Sequence, residues 1–157
     1  MRATRINHVS IPATDLAEST RFYVELLGAT EIPTARFGSP VKWLALGRQQ
    51  LHLFESTTAP SLGQHFGFDV DDFEELYRRA RDLGVFDTAA FGVHLRHHPT
   101  GWVQLYLRDP AGNLVEANWP DVTTLDPELA EVSVSLADSV PQVGEAAVAT
   151  LFTGGDS

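Results

Sequence analysis

The chain has no cysteine. That removes disulfides, thiolate metal ligands and a thiol nucleophile together, so any metal must be held by imidazole and carboxylate groups. Nor is there an apolar run near the ~18 to 20 residues that a membrane span needs. The start, Met1-Arg2-Ala3-Thr4-Arg5, lacks the apolar centre of a signal peptide. A cytoplasmic protein without a membrane partner is expected. Basic residues are scarce: 11 Lys and Arg stand against 21 Asp and Glu, for a net charge of −10. A phosphate backbone would be repelled, so no nucleic-acid partner is expected and a small-molecule substrate is. The imbalance is local, because residues 121–157 hold seven acidic groups and no basic one, which leaves −3 for residues 1–120.

What is present is enough for a packed core. The 157 residues are 43% hydrophobic, with nine Phe, three Tyr and three Trp, a composition that folds without staples. Ile6 to Ile11 alternates, with Val9 and Ile11 on one face and His8 and Ser10 on the other, as in a strand covered on one side. Thr14 then opens a helical pattern through Leu16, Phe22, Tyr23, Leu26 and Leu27, closed by Gly28. Strand-like runs follow at Thr30 to Phe37, Val41 to Leu46 and Gln50 to Glu55, read as an antiparallel meander.

The same order recurs. A strand at Gln64 to Val70 precedes a helix from about Asp71 to Leu83, ended by Gly84, and runs near Gly92 to Arg96, Trp102 to Arg108 and Asn113 to Trp119. A shift of 57 residues lays His8 on His65, Asp15 on Asp72, Leu16 on Phe73 and Leu26 on Leu83. The expected organisation is a first βαβββ module over 1–60, a second over 61–120, and an acidic tail over 121–157. In the tail Asp126-Pro127-Glu128-Leu129 can start a short helix, whereas Gly154-Gly155-Asp156-Ser157 looks like a frayed end. The tail is a lid, a dimer arm or disordered.

Three histidines sit in strand patterns beside large apolar neighbours: His8, His52 and His65. Glu116 shares the parity of Leu114 and Asn118, opposite Val115, Ala117 and Trp119. If the modules curl their sheets into a cleft, these four side chains converge there. A lone strand histidine is more often a hydrogen-bonded residue than a ligand. Two histidines and a carboxylate together leave about three positions open on an octahedral ion, which suits ferrous iron or another first-row metal. His94 and His98 are read as surface or rim residues, and Asp109 to Asn113 as a tight turn between two strands.

His8, its repeat at His65, and Asp109-Pro110-Ala111-Gly112-Asn113 followed by Glu116 resemble the vicinal-oxygen-chelate superfamily over residues 5 to 120. The resemblance implies an α+β fold, paired βαβββ modules forming a curled mixed-sheet cleft, with His8, His65 and Glu116 as metal ligands. His97 stands nine residues before Tyr106, and Tyr106 ten before Glu116; both spacings are similar to those of single-domain extradiol dioxygenases. Tyr106 shares the parity of Gln104 and Arg108, so its hydroxyl could point into the cleft.

By that resemblance the cofactor is Fe(II), with Zn, Ni, Co or Mn as alternatives, and dioxygen is the co-substrate. His52 would be the acid/base or a fourth metal ligand, His97 would hydrogen-bond a substrate oxygen, and Tyr106 would stabilise charge. A small catechol such as L-DOPA is the implied substrate, its carboxylate met by Arg36, Arg48 or Arg96. A glyoxalase-type isomerase, epimerase or thiol transferase is the first alternative. The second is a metal-free antibiotic-binding protein with a cleft lined by Trp43, Phe54 and Trp102. A homodimer is expected, since many relatives complete their cleft with a swapped module or a partner.

Overall fold

A computed structural model describes residues 1–151. The frayed end expected at 154–157 lies outside the described residues. The described residues divide into two compact units: residues 1–64 with 108–113, and residues 65–107 with 114–151.

In the first unit, strand β1 (His8–Ala13) is followed by helix α1 (Leu16–Leu27), β2 (Thr30–Glu31), β3 (Val41–Leu46) and β4 (Gln49–Glu55). The helix is capped by Asp15 rather than by Thr14. The Asp15 Oδ1 accepts from the N–H of Ala17 and Glu18 at 2.8 and 2.9 Å, which satisfies two donors that the first turn leaves open. Gly28 ends it at φ 67°, a conformation that a side chain would resist. Phe22, Tyr23 and Leu26 bury one stripe of α1, and Leu44, Leu51 and Leu53 are buried in the sheet. Each such side chain stabilises the fold by about 1.5 to 3 kcal/mol.

The strand order is β1-β4-β3-β2, with β1 parallel to β4 and the other neighbours antiparallel. The run expected from Thr30 to Phe37 forms a ladder only at Thr30 and Glu31, with one further bond from the Ile32 N–H to the Trp43 carbonyl, and stops at Pro33, which has no N–H to offer.

The second unit repeats the plan: β5 (His65–Asp69), helix α2 (Phe73–Leu83), β6 (Leu95–His97), β7 (Val103–Arg108) and β8 (Leu114–Trp119). Asp72 caps α2 through a bond from the Glu75 N–H, the counterpart of Asp15. The strand order is β5-β8-β7-β6, continued beyond β6 by the short strand β9 (Val134–Ser135), with β5 parallel to β8. Both sheets are therefore mixed and unclosed, and the fold class is α+β.

The tail is ordered as far as it is described. Helix α3 (Pro127–Val132) leads to β9 (Val134–Ser135), which lies parallel to β6, then to helix α4 (Leu136–Ser139) and a 3₁₀ turn at Gly144–Val148. No described helix is long and apolar enough to cross a membrane.

Candidate functional site

In the first unit the ladder sets which side chains share a face. Ser10 and Trp43 both stand opposite His52, and His8 stands opposite Gln50, so His8, His52 and Trp43 rise from the side away from Leu51 and Leu53. The His52 ring is stacked between its neighbours, 4.4 Å from His8 and 4.4 Å from Trp43. Its Nε2 is 2.9 Å from Gln50 Oε1, which places the proton on Nε2 and leaves Nδ1 as the acceptor. Burial lowers the His52 pKa, and the neighbouring His8 lowers it further, so the ring stays neutral near pH 7. The His8 Nδ1 is hydrogen-bonded to Asn7 Oδ1, which directs its Nε2 away from that bond.

In the second unit His65 and Glu116 come together. The His65 Nε2 lies 3.2 Å from Glu116 Oε2, which is buried and accepts no hydrogen bond. A shielded carboxylate oxygen without a donor costs free energy unless something cationic is supplied. The place is made by Gly67, whose position a Cβ would fill at 2.9 Å from Asn118 Nδ2 and 3.3 Å from Glu116 Oε1. A glycine inside a strand was the signal that could have found it.

Tyr106 completes this group. Arg96 Nη2 donates to its hydroxyl over 2.6 Å while Arg96 Nε donates to Gln104 Oε1 over 2.9 Å. The Tyr106 hydroxyl in turn hydrogen-bonds Glu116. Burial first, and then the Glu116 charge, raise the Tyr106 pKa well above the usual value, against a smaller opposite effect of Arg96. The phenol is neutral and a donor. Phe91 covers the cluster, with its ring 5.6 Å from His65, 4.8 Å from Tyr106 and 5.1 Å from the Arg96 guanidinium carbon.

His97 is not brought to this group. Arg96 pairs with Gln104 and His97 with Val103, so His97 projects from the opposite face of β6, where its Nδ1 shares a 2.9 Å hydrogen bond with Ser133 Oγ. One other expectation is corrected. His98 is no rim residue: it is 1% exposed, stacked on Trp102, and its Nε2 donates to the Ala146 carbonyl because the tail folds over it. Trp102 lies in the second unit, where its indole N–H donates to the Ala149 carbonyl.

Within each unit, among the described residues, no three His, Asp or Glu side chains gather around one point. The donors come as pairs, His8 with His52 and His65 with Glu116. The second pair suits a divalent ion on its own chemistry: an imidazole nitrogen beside a buried carboxylate oxygen that has no hydrogen bond.

Comparison with known proteins agrees with this architecture. Among solved structures, lactoylglutathione lyase from Agrobacterium tumefaciens is 27% identical with a TM-score of 0.57, covering 75% of this chain and 95% of that one. An oxidase, ChaP-H2, is 26% identical with a TM-score of 0.60, covering 74% and 94%. The fosfomycin resistance protein FosX from Listeria monocytogenes has the same fold at 18% identity and a TM-score of 0.62, covering 74% and 92%, in a mutant form complexed with Mn(II). No curated protein matches. A family model matches residues 5–117, and the chain belongs to the glyoxalase/bleomycin resistance protein/dioxygenase superfamily.

Proposed function

We propose that this protein is a divalent-metal enzyme that opens the ring of a small catechol beside its two hydroxyls, with Fe(II) as the metal and dioxygen as the second substrate. His65 and Glu116 of the second unit are residues that would hold the ion. Bound there, ferrous iron would bring the diol and dioxygen together at its remaining positions. The carbon–carbon bond next to the diol and the oxygen–oxygen bond break, both oxygen atoms enter the product, and no external reductant is needed.

The observation that carries the reading is the Tyr106 hydroxyl, held between Arg96 and Glu116, whose buried Oε2 accepts no hydrogen bond. A buried phenol kept protonated can turn its one proton from Glu116 to an oxygen that gains charge during ring opening, while Arg96 keeps it in place. His52 supplies the base: neutral at pH 7, with Nδ1 as its acceptor, it can take a catechol proton and return it. His97, bonded to Ser133 on the other face of β6, carries no step in this reading.

A second reading, a glyoxalase-type isomerase, epimerase or thiol transferase using the metal as a Lewis acid, is favoured by the position of His97 and by the 27% identity to a lactoylglutathione lyase. One experiment separates the two. The protein is purified without oxygen, loaded with ferrous iron and given a panel of catechols with oxygen, while oxygen uptake and visible absorbance are recorded. A yellow product with about one dioxygen consumed per catechol establishes ring cleavage. Tight metal binding with no oxygen uptake on any catechol overturns it in favour of the second reading.

A further inference from the structure

The face of the first unit that bears His8 and His52 floors a concavity of about 560 Å³, within the range of small-molecule sites. Two features of its wall point to the same ligand. The first is aromatic: the Phe37 ring leans on both Trp43 and Phe54, at 5.9 and 6.2 Å, and the Trp43 indole continues the surface onto the His52 ring. The second is charge. In a chain of net charge −10 this wall carries two guanidinium groups, Arg5 and Arg48, and no carboxylate. Its remaining polar members, Asn7, Ser10 and Gln50, are neutral.

A concavity that is locally cationic inside an acidic protein concentrates small anions and disfavours cations. Guanidinium groups recognise carboxylates with charge-assisted, directional hydrogen bonds, and aromatic walls recognise flat rings. We propose that this face binds an aromatic acid, its ring on Phe37, Trp43 and Phe54 and its carboxylate at Arg5 and Arg48. The inference rests on the function proposed above and deepens it: the substrate is an acid, and Arg5 and Arg48 select it. Of the three arginines that the sequence offers for a substrate carboxylate, Arg48 alone lines this wall.

The test needs neither iron nor oxygen. Metal-free protein is titrated with hydrocinnamate, its neutral amide and the saturated cyclohexyl acid, following tryptophan fluorescence and heat. Hydrocinnamate is expected to bind about tenfold more tightly than the amide, the amount that one charge-assisted pair supplies, and roughly two- to tenfold more tightly than the cyclohexyl acid, the amount that aromatic contacts add. The double variant Arg5→Gln/Arg48→Gln, altered only at exposed positions, should bind acid and amide alike, and Trp43→Leu should weaken both together. Equal binding of acid and amide to the parent protein overturns the inference, as does a preference for the acid that survives the double variant.

This outcome is separable from that of the reaction itself. Selective acid binding without ring cleavage sinks the dioxygenase reading alone. Cleavage of neutral catechols as fast as acidic ones sinks the inference alone.

Discussion

The Arg96 guanidinium and the Tyr106 hydroxyl are joined by a 2.6 Å hydrogen bond in which arginine donates, and the phenol passes the polarity on to Glu116. Arg96 is thus a positioning residue for Tyr106. Replacing it with Met should leave divalent-ion binding within about threefold of the parent while turnover falls about a hundredfold, the scale of one general-acid or charge-stabilising group. Tyr106→Phe should do the same, and the double variant should be no worse than either single change, because both remove one unit. A double variant whose loss equals the product of the single losses would show that the two act separately.

Metal binding should be visible as stability. The Glu116 Oε2 is buried and accepts no hydrogen bond, so a divalent ion that it holds binds the folded chain far better than the unfolded one. Melting with Mn(II) at a hundredfold excess over its Kd should show about 2.7 kcal/mol of added stability, removed again by a chelator. Glu116→Gln should abolish the increment. Without metal that variant should be at least as stable as the parent, since it replaces a buried charged group by a neutral one that can still accept from Tyr106. A parent protein whose melting is indifferent to every divalent ion tried would rule out Glu116 as a ligand.

Much of this was legible beforehand, for identifiable reasons. The repeat at a shift of 57 residues placed Asp15 and Asp72 at equivalent points, and both are N-caps. Strand alternation placed Glu116 and Asn118 on one face, and both lie against Gly67. What spacing alone did not supply was parity across a hairpin. His97 and Tyr106 share a face only if the turn at 98–102 has the right length; the observed register pairs Arg96 with Gln104, so Arg96 joins Tyr106 and His97 turns away. One residue of register exchanges the two, and sequence does not specify it. His98 failed for a different reason: its cover is the Ala146 carbonyl, 48 residues away, and no local pattern reports such a contact.

Alkaline stability should report the buried tyrosine of the first unit. The Tyr23 hydroxyl donates to Asp109 Oδ2 over 2.8 Å, and burial together with the Asp109 charge raises its pKa well above 10. The folded chain therefore keeps this proton where the unfolded chain releases it. The contribution is fully present below pH ~10 and is lost as pH rises beyond, at up to about 1.4 kcal/mol per pH unit for one group. Tyr23→Phe should cost about 1.5 to 3 kcal/mol at neutral pH, the worth of a hydrogen bond to a charged acceptor, and should make the alkaline decline shallower. Urea titrations of both proteins from pH 8 to pH 11, roughly bracketing the tyrosine range, would check this; parallel declines would show that Tyr23 is not the group responsible.

Gly67 offers the sharpest test of the Glu116 setting, because it changes the room around a ligand without changing the ligand. An alanine Cβ there would stand 2.9 Å from Asn118 Nδ2 and 3.3 Å from Glu116 Oε1, the first closer than real contacts allow. Strand backbone itself tolerates alanine, so the strain falls on the two side chains, and overpacking of this size costs about 1 to 3 kcal/mol. The Asn118 amide can give way by rotating. Glu116 is held by Tyr106 and walled in, 4% exposed, so it gives way at the expense of its alignment with His65. Gly67→Ala should therefore fold with a moderately lowered Tm and bind divalent ions roughly ten- to a hundredfold more weakly, the usual effect of disturbing a ligand's support. Calorimetric titration with Mn(II), beside circular dichroism to establish folding, measures both. A folded Gly67→Ala protein with undiminished ion affinity would show that the pocket around Glu116 does not hold the metal.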